Sequence, residues 1–179
     1  MTRQLALDWL DTPLGLMVAV GDERSLHALE YAEQSRERSI IDRLSESLQA
    51  VILPGKSAAT GRMAGELASY FHGEQVPFTV PLVRGGSSFQ NAVWDALLEI
   101  PVGEVRSYAD IARRIDQMPA LRAVAQAIGD NPFAVVIPCH RVINTGGKLG
   151  GYGGGLPRKR WLLEHEQRMI RSAEKFELT

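Results

Sequence analysis

The single cysteine of this chain, Cys139, lies in the run Asn131-Pro132-Phe133-Ala134-Val135-Val136-Ile137-Pro138-Cys139-His140-Arg141-Val142-Ile143. A thiol attacks as its thiolate, and a free cysteine is only a few per cent ionised at neutral pH. An imidazole and a guanidinium follow at once, and either could raise that fraction. A lone cysteine is more often a small buried hydrophobe, but this context argues against simple packing. Pro138 fixes the backbone before the thiol and removes a donor. Residues 135–137 read as a short buried strand that would hold the following turn rigid. An activated thiol also needs a carboxylate to fix the imidazole tautomer. Residue pattern alone leaves that carboxylate open.

The elements around this run read as follows. Residues 5–10, 16–20 and 26–31 are strand-like, separated by Asp11-Thr12-Pro13-Leu14-Gly15 and Gly21-Asp22-Glu23-Arg24-Ser25, which predicts an antiparallel meander. Residues 35–50 have a helical rhythm at Ile40, Ile41, Leu44 and Leu48. Pro54-Gly55-Lys56-Ser57 reads as a loop, because Gly-Lys-Ser lacks the upstream glycine of a phosphate-binding loop. A second helix at 63–71 precedes an extended stretch at 77–81. No chemistry is visible in this half.

Arg84-Gly85-Gly86-Ser87-Ser88 marks a boundary between 1–85 and 86–179. Ser87 or Ser88 caps a helix whose Phe89, Val93, Trp94, Leu97 and Leu98 line one buried face. Pro101-Val102-Gly103 ends that helix. Ser107, with Asp110 three residues on, starts another in capping-box fashion. Residues 107–115, the link Asp116-Gln117-Met118 and residues 119–128 make a helix-turn-helix candidate. Small residues around Arg122 would permit close approach to a duplex. Asn144-Thr145-Gly146-Gly147-Lys148 reads as a hairpin turn or wing. The glycines from 150 to 155, around Tyr152, suit a loop that approaches a ligand closely. Pro157 opens a last helix to about residue 171, with Trp161, Leu162 and His165 on one side and a loosely held tail beyond.

Composition narrows the class. With 179 residues, 45 % hydrophobic and 23 % charged, the chain suits one domain or two small ones with a buried core. No apolar run is long enough for a membrane helix, and Met1-Thr2-Arg3-Gln4-Leu5 does not begin a signal peptide. A cytoplasmic protein without a membrane partner is expected. One cysteine and four scattered histidines predict no metal site. The net charge of −1 conceals an asymmetry: residues 1–100 carry 8 basic and 13 acidic side chains, residues 101–179 carry 12 and 8. The second half is the better face for a polyanion, although Arg158-Lys159-Arg160 could equally be a solvated helix start.

Pro138-Cys139-His140-Arg141-Val142 resembles the active-site signature of the O6-alkylguanine-DNA alkyltransferases, the methylated-DNA–protein-cysteine methyltransferases. The resemblance extends to Phe89-Gln90, Val93-Trp94, Ile100-Pro101-Val102-Gly103, Ser107-Tyr108, Arg122-Ala123-Val124, Asn131-Pro132, Gly151-Tyr152-Gly153-Gly154-Gly155 and Leu162-Leu163-Glu164-His165-Glu166. It is strong over the second half and weaker over the first.

The resemblance implies an α+β protein: a small N-terminal α/β domain of ribonuclease-H-like form, and a mainly helical, winged-helix-like domain for DNA binding and catalysis. It implies a single-turnover transfer of an alkyl group from O6 of guanine, or O4 of thymine, to Cys139, with no cofactor. Glu166 becomes the carboxylate of a network linking Cys139, through water, to His140. Lowering a thiol pKa by two units is worth roughly 2.7 kcal/mol, enough to make thiolate dominate. The implied partner is double-stranded DNA containing O6-alkylguanine, met by a monomer, with cooperativity along DNA left open. Because O6 is buried in the stack, the base must flip out. Arg122 would fill the gap from a helix in the minor groove, with Ala123, Ala125 and Gln126 beside it on the DNA. Tyr108 would help rotate the nucleotide and donate a proton to departing guanine, and Asn131 would brace the turns. Val142, Tyr152, Gly153 and Gly154 would form the base pocket. His165 reads as packing.

Three departures stand out: Ala125 for a common glycine, Asp116-Gln117-Met118 for a Gly-x-Pro link, and Ala134 for a proline. Two other classes compete. A lesion sensor would use the helix pair and leave Cys139 unreactive; a thiol hydrolase would need an oxyanion site, for which the sequence offers no candidate.

Overall fold

The computed structural model describes residues 2–32 and 40–178. Its mixed α and β structure divides into two compact units, Met1–Arg84 and Gly85–Thr179.

In the first unit, strands β1 (Gln4–Thr12), β2 (Gly15–Gly21) and β3 (Leu26–Tyr31) form the expected meander. β2 is buried along most of its length because helices cover both faces of the sheet: α1 (Ile40–Leu48) packs Ile40 and Leu44 against Leu7, Val18 and Val20, and α2 (Ala58–Phe71) lies against β1, β2 and β3. The expected helix over 35–50 is present from Ile40; residues 35–39 lie outside the described residues. Gln49, at φ +48°, turns the chain out of α1. It leads into a strand that patterning had not predicted, β4 (Val51–Pro54), which pairs parallel with β1 at the sheet edge. Pro54 had read as part of a loop, but proline is tolerated at a strand end on an edge. α2 also starts five residues earlier than its apolar rhythm, at Ala58, because Ser57 and Thr60 make a reciprocal capping box.

The second unit begins with α3 (Ser88–Leu98), capped by Ser87 with Gln90 in return. Val93, Trp94, Ala96 and Leu97 are buried; Leu98 is 47 % exposed, which removes it from the expected core face. Trp94 Nε1 donates to the carbonyl of Ala127 at 2.9 Å. That bond ties α3 to α5 (Leu121–Gly129). A two-residue strand, β5 (Arg106–Ser107), runs into α4 (Tyr108–Arg114), where Ser107 and Asp110 form the predicted capping box. Between α4 and α5 the chain turns at Asp116, φ +56°, and through a 3-10 turn, Met118–Ala120. Pro119 therefore lies in that turn and not at the start of the helix.

Residues 135–137 are buried but form no strand. Val135 has φ +71°, outside the β region, and Val136 and Ile137 donate to the carbonyls of Ala134 and Phe133. The apolar run matched a strand only because periodicity cannot distinguish a buried strand from a buried turn of that length. Cys139–Arg141 follow as one 3-10 turn leading into β6 (Val142–Ile143), which pairs parallel with β5. The last helix, α6 (Leu156–Glu177), continues six residues past the expected end.

Candidate active site

Asn131 stands two residues beyond α5 and reaches across the turn to the thiol. Its Nδ2 donates to the carbonyl of Ile137 at 2.7 Å and lies 3.2 Å from Cys139 Sγ, while its Oδ1 accepts from the amide of Phe133 at 2.9 Å. One side chain thus ties both ends of the strained Val135 turn to the sulfur. A β-branched residue at positive φ costs on the order of 1–3 kcal/mol, so the turn needs such restraints.

Beside the thiol in sequence, His140 and Arg141 are buried and point into a second cluster. His140 Nε2 lies 2.7 Å from Glu166 Oε1. Arg141 donates from Nε to Glu166 Oε2 and from Nη2 to Oε1, each at 2.9 Å, and from Nη1 to the carbonyl of Ile100 at 2.6 Å. Burial would raise the Glu166 carboxyl, but hydrogen bonds from His140 and Arg141 and the charge of Arg141 hold it far below the usual carboxylate range. Glu166 is therefore an acceptor only, and His140 Nε2 carries the donated proton. Burial also lowers the His140 imidazole, with Glu166 opposing. In the neutral ring so favoured, Nδ1 holds the lone pair. Among the described residues Nδ1 has no hydrogen-bond partner, so the ring presents a free basic nitrogen.

This arrangement corrects one expectation from the sequence. Arg141 does not face the thiol as a counter-cation; its guanidinium is spent on Glu166 and Ile100. Burial pushes the Cys139 thiol upward, and the opposing influences are the Asn131 hydrogen bond, the charge of Lys159, and the amides of Cys139 and His140.

Lys159 was missed as a site residue and is not solvated. Fully buried, its ammonium donates to the carbonyls of Val142 at 2.6 Å and Gly151 at 3.0 Å, and to that of Leu149. Burial lowers its pKa to about 8, with the charge of Cys139 opposing. The signal was available: Lys159, Leu162, Glu166 and Met169 recur at helical spacing, and all are buried along α6. A lysine on an apolar stripe is a candidate buried cation.

Tyr108, at the start of α4, is half-buried, with its hydroxyl 3.5 Å from the carbonyl of Gly151. Burial first, then the charge of Cys139, raises its phenol. Gly150, φ +71°, permits this approach, since a Cβ there would come within 3.2 Å of the Tyr108 ring and hydroxyl. Val142 is buried with its carbonyl on Lys159. Tyr152 and Gly154 are half-buried and Gly153 is exposed in the loop that follows. His165 is buried and stacked on Trp161 at 4.7 Å, a packing role.

The helix-pair residues take no part in these buried hydrogen bonds. Arg122, Ala123 and Gln126 are exposed along α5, and Ala125 is half-buried. Gln126 Nε2 donates to Asp130 Oδ1 at 3.0 Å. Among the described residues, no group of three or more His, Cys, Asp or Glu side chains is placed to hold a metal, and no helix is long and apolar enough to cross a membrane.

An asparagine amide on the thiol, a buried cluster of the next two residues with Glu166, and a helix with an exposed face ending two residues before that asparagine make up a candidate cysteine-nucleophile site in a protein of mixed α and β structure. Residues 88–168 match the family model described as 6-O-methylguanine DNA methyltransferase, DNA binding domain. The methylated-DNA–protein-cysteine methyltransferase of Mycobacterium bovis is 44 % identical over 158 residues, spanning 88 % of this chain and 90 % of that protein. Its Mycobacterium leprae counterpart is 40 % identical over 161 residues, with 90 % and 92 % covered. The crystal structure of Mycobacterium tuberculosis OGT in complex with DNA superposes with a TM-score of 0.78 at 41 % identity, covering 92 % of this chain and 94 % of that one. The chain belongs to the methylated-DNA–protein-cysteine methyltransferase family.

Proposed function

We propose that this protein repairs DNA by direct reversal, taking a methyl or other alkyl group from O6 of guanine, or O4 of thymine, onto Cys139. The observation that carries the reading is the Asn131–Cys139 contact of 3.2 Å beside a buried His140–Glu166 pair, in a chain of this family.

In the proposed reaction His140 Nδ1, through a water, takes the proton of Cys139, and the imidazolium is stabilised by ionised Glu166. The thiolate attacks the alkyl carbon, forming a C–S bond as the C–O bond to the base breaks. The base leaves with the electron pair of that bond and takes a proton from Tyr108, which is restored from the imidazolium through solvent. A thioether has no good leaving group, so each molecule acts once. No cofactor enters this sequence. Lys159 supplies positive charge near the sulfur and holds the carbonyls of the glycine loop that would wall the base pocket with Val142, Tyr152, Gly153 and Gly154.

We further read the first unit as ribonuclease-H-like and the second as winged-helix-like, acting as a cytoplasmic monomer on duplex DNA. α5 enters the minor groove with Ala123, Ala125 and Gln126 against the backbone. Arg122 occupies the space of the flipped base. Extruding that base costs a few kcal/mol, which a filled gap and pocket contacts offset.

The test is the intact mass of the protein after mixing with a duplex containing one O6-methylguanine, followed by peptide mapping. One added methyl on Cys139, with unmodified guanine left in the DNA, is expected. Tight lesion binding without a mass change would identify a sensor instead.

A further inference from the structure

We propose that a surface cleft of about 350 Å³, lined by Arg106, Arg113 and the loop 144–147, binds a backbone phosphate of the DNA strand carrying the reacting base. The proposal rests on the function argued above and assigns a site to its substrate.

The placement comes from one short ladder. β5 and β6 pair in parallel, Arg106 opposite Val142 and Ser107 opposite Ile143. β6 leaves the Cys139–Arg141 turn directly, and β5 runs directly into Tyr108. The cleft is lined by Ile143 and the residues that follow it, so it opens where the strand from the thiol ends.

Two guanidinium groups line this cleft, and both have donors to offer. Arg113 gives one hydrogen bond to Asp110 Oδ1 at 3.0 Å. Arg106 gives one to Glu104 Oε2 at 2.7 Å and one to the carbonyl of Val105 at 2.9 Å. A guanidinium carries five N–H groups in a fork that matches phosphate geometry. Both ion pairs are exposed, hence weak and exchangeable. Asp110 also lines the cleft, but its carboxylate accepts from the Ser107 amide at 2.9 Å as well as from Arg113. Across the cleft, Gly146 and Gly147 adopt φ +97° and +91°, with nothing within 4 Å of where a Cβ would stand. Their backbone can therefore be approached closely by a ligand.

The experiment measures affinity of the full chain for lesion-free duplex across a salt series, for wild type, Arg106→Gln, Arg113→Gln and the double variant. Methylation of Cys139 by free O6-methylguanine base is followed in parallel. Removing one phosphate contact should make the slope of log K against log salt shallower by about 0.9 and weaken duplex binding roughly tenfold at moderate salt. Because both arginines serve one phosphate, the double variant should lose no more slope than that. Methylation by the free base, which has no phosphate, should be unchanged. An unaltered slope and affinity in the double variant would overturn the proposal. So would inorganic phosphate competing for the cleft as well as the duplex does. Failure of wild type to become methylated on Cys139 by the free base and by a duplex containing O6-methylguanine would instead count against the function, while the salt slope still reads the cleft.

Discussion

The side-chain amide of Asn131 lies 3.2 Å from the sulfur of Cys139 while donating to the carbonyl of Ile137 at 2.7 Å. The same side chain therefore restrains the loop and favours the sulfur's charged form. Asn131→Ala should raise the thiol pKa and slow its alkylation at neutral pH, by roughly tenfold for each unit of rise. Loss of the loop restraints should cost about 1–3 kcal/mol in stability. The rate of iodoacetamide labelling as a function of pH, with urea unfolding alongside, separates the two effects.

Glu166 should be essential to stability as well as to chemistry. Glu166→Gln leaves the guanidinium of Arg141 buried without its carboxylate, at a cost of about 3–5 kcal/mol. The sign of the pH effect follows from the depressed carboxyl. Its contribution is fully present above the unfolded pKa of roughly 4.3 and is lost as pH falls towards the folded value. Denaturant unfolding of wild type from pH 7 downward should show this loss, and Glu166→Gln should lack that component.

Lys159→Met should remove the charge nearest in effect to the thiol and leave the carbonyls of Val142, Leu149 and Gly151 without their shared donor. Alkyl transfer should slow at pH 7, and the glycine loop should become more accessible to hydrogen exchange. Because burial lowers this ammonium to about 8, the folded protein gives up the proton before the unfolded chain does. Stability contributed by this group therefore rises with pH between about 8 and 10.4. That rise should be absent from the variant.

Asp116 turns the helix pair at φ +56°. Asp116→Gly relieves a left-handed conformation and should stabilise the protein by about 1 kcal/mol, read as a higher thermal midpoint. If α5 meets DNA as proposed, losing this acid should also tighten duplex binding, measured in the same salt series.

Local signals were written plainly in the sequence. Helices start at Ser87, one of the two serines expected to cap, and at Ser107 with its expected partner Asp110, because a cap and its box reach only three residues along the chain. The meander of β1 to β3 was legible from strand-like runs punctuated by turns. Cys139 stood out because a thiol, an imidazole and a guanidinium in consecutive positions are chemically conspicuous, and the surrounding motifs pointed to the family to which the chain belongs.

What the sequence left undetermined depended on partners distant along the chain. β4 exists as a strand because β1, 47 residues earlier in register, offers it an edge. Val135 to Ile137 form a turn because Asn131 and Phe133 hold them there against the preference of β-branched residues. Arg141 could have faced the thiol next to it; a carboxylate 25 residues away claims its guanidinium instead. Lys159 could equally have been a cation facing a polyanion or one of three solvated at a helix start; α6 turns it inward with Leu162 and Glu166. Caps and turns are fixed by neighbours in sequence, whereas a buried charge takes its role from the groups that folding brings within hydrogen-bond reach.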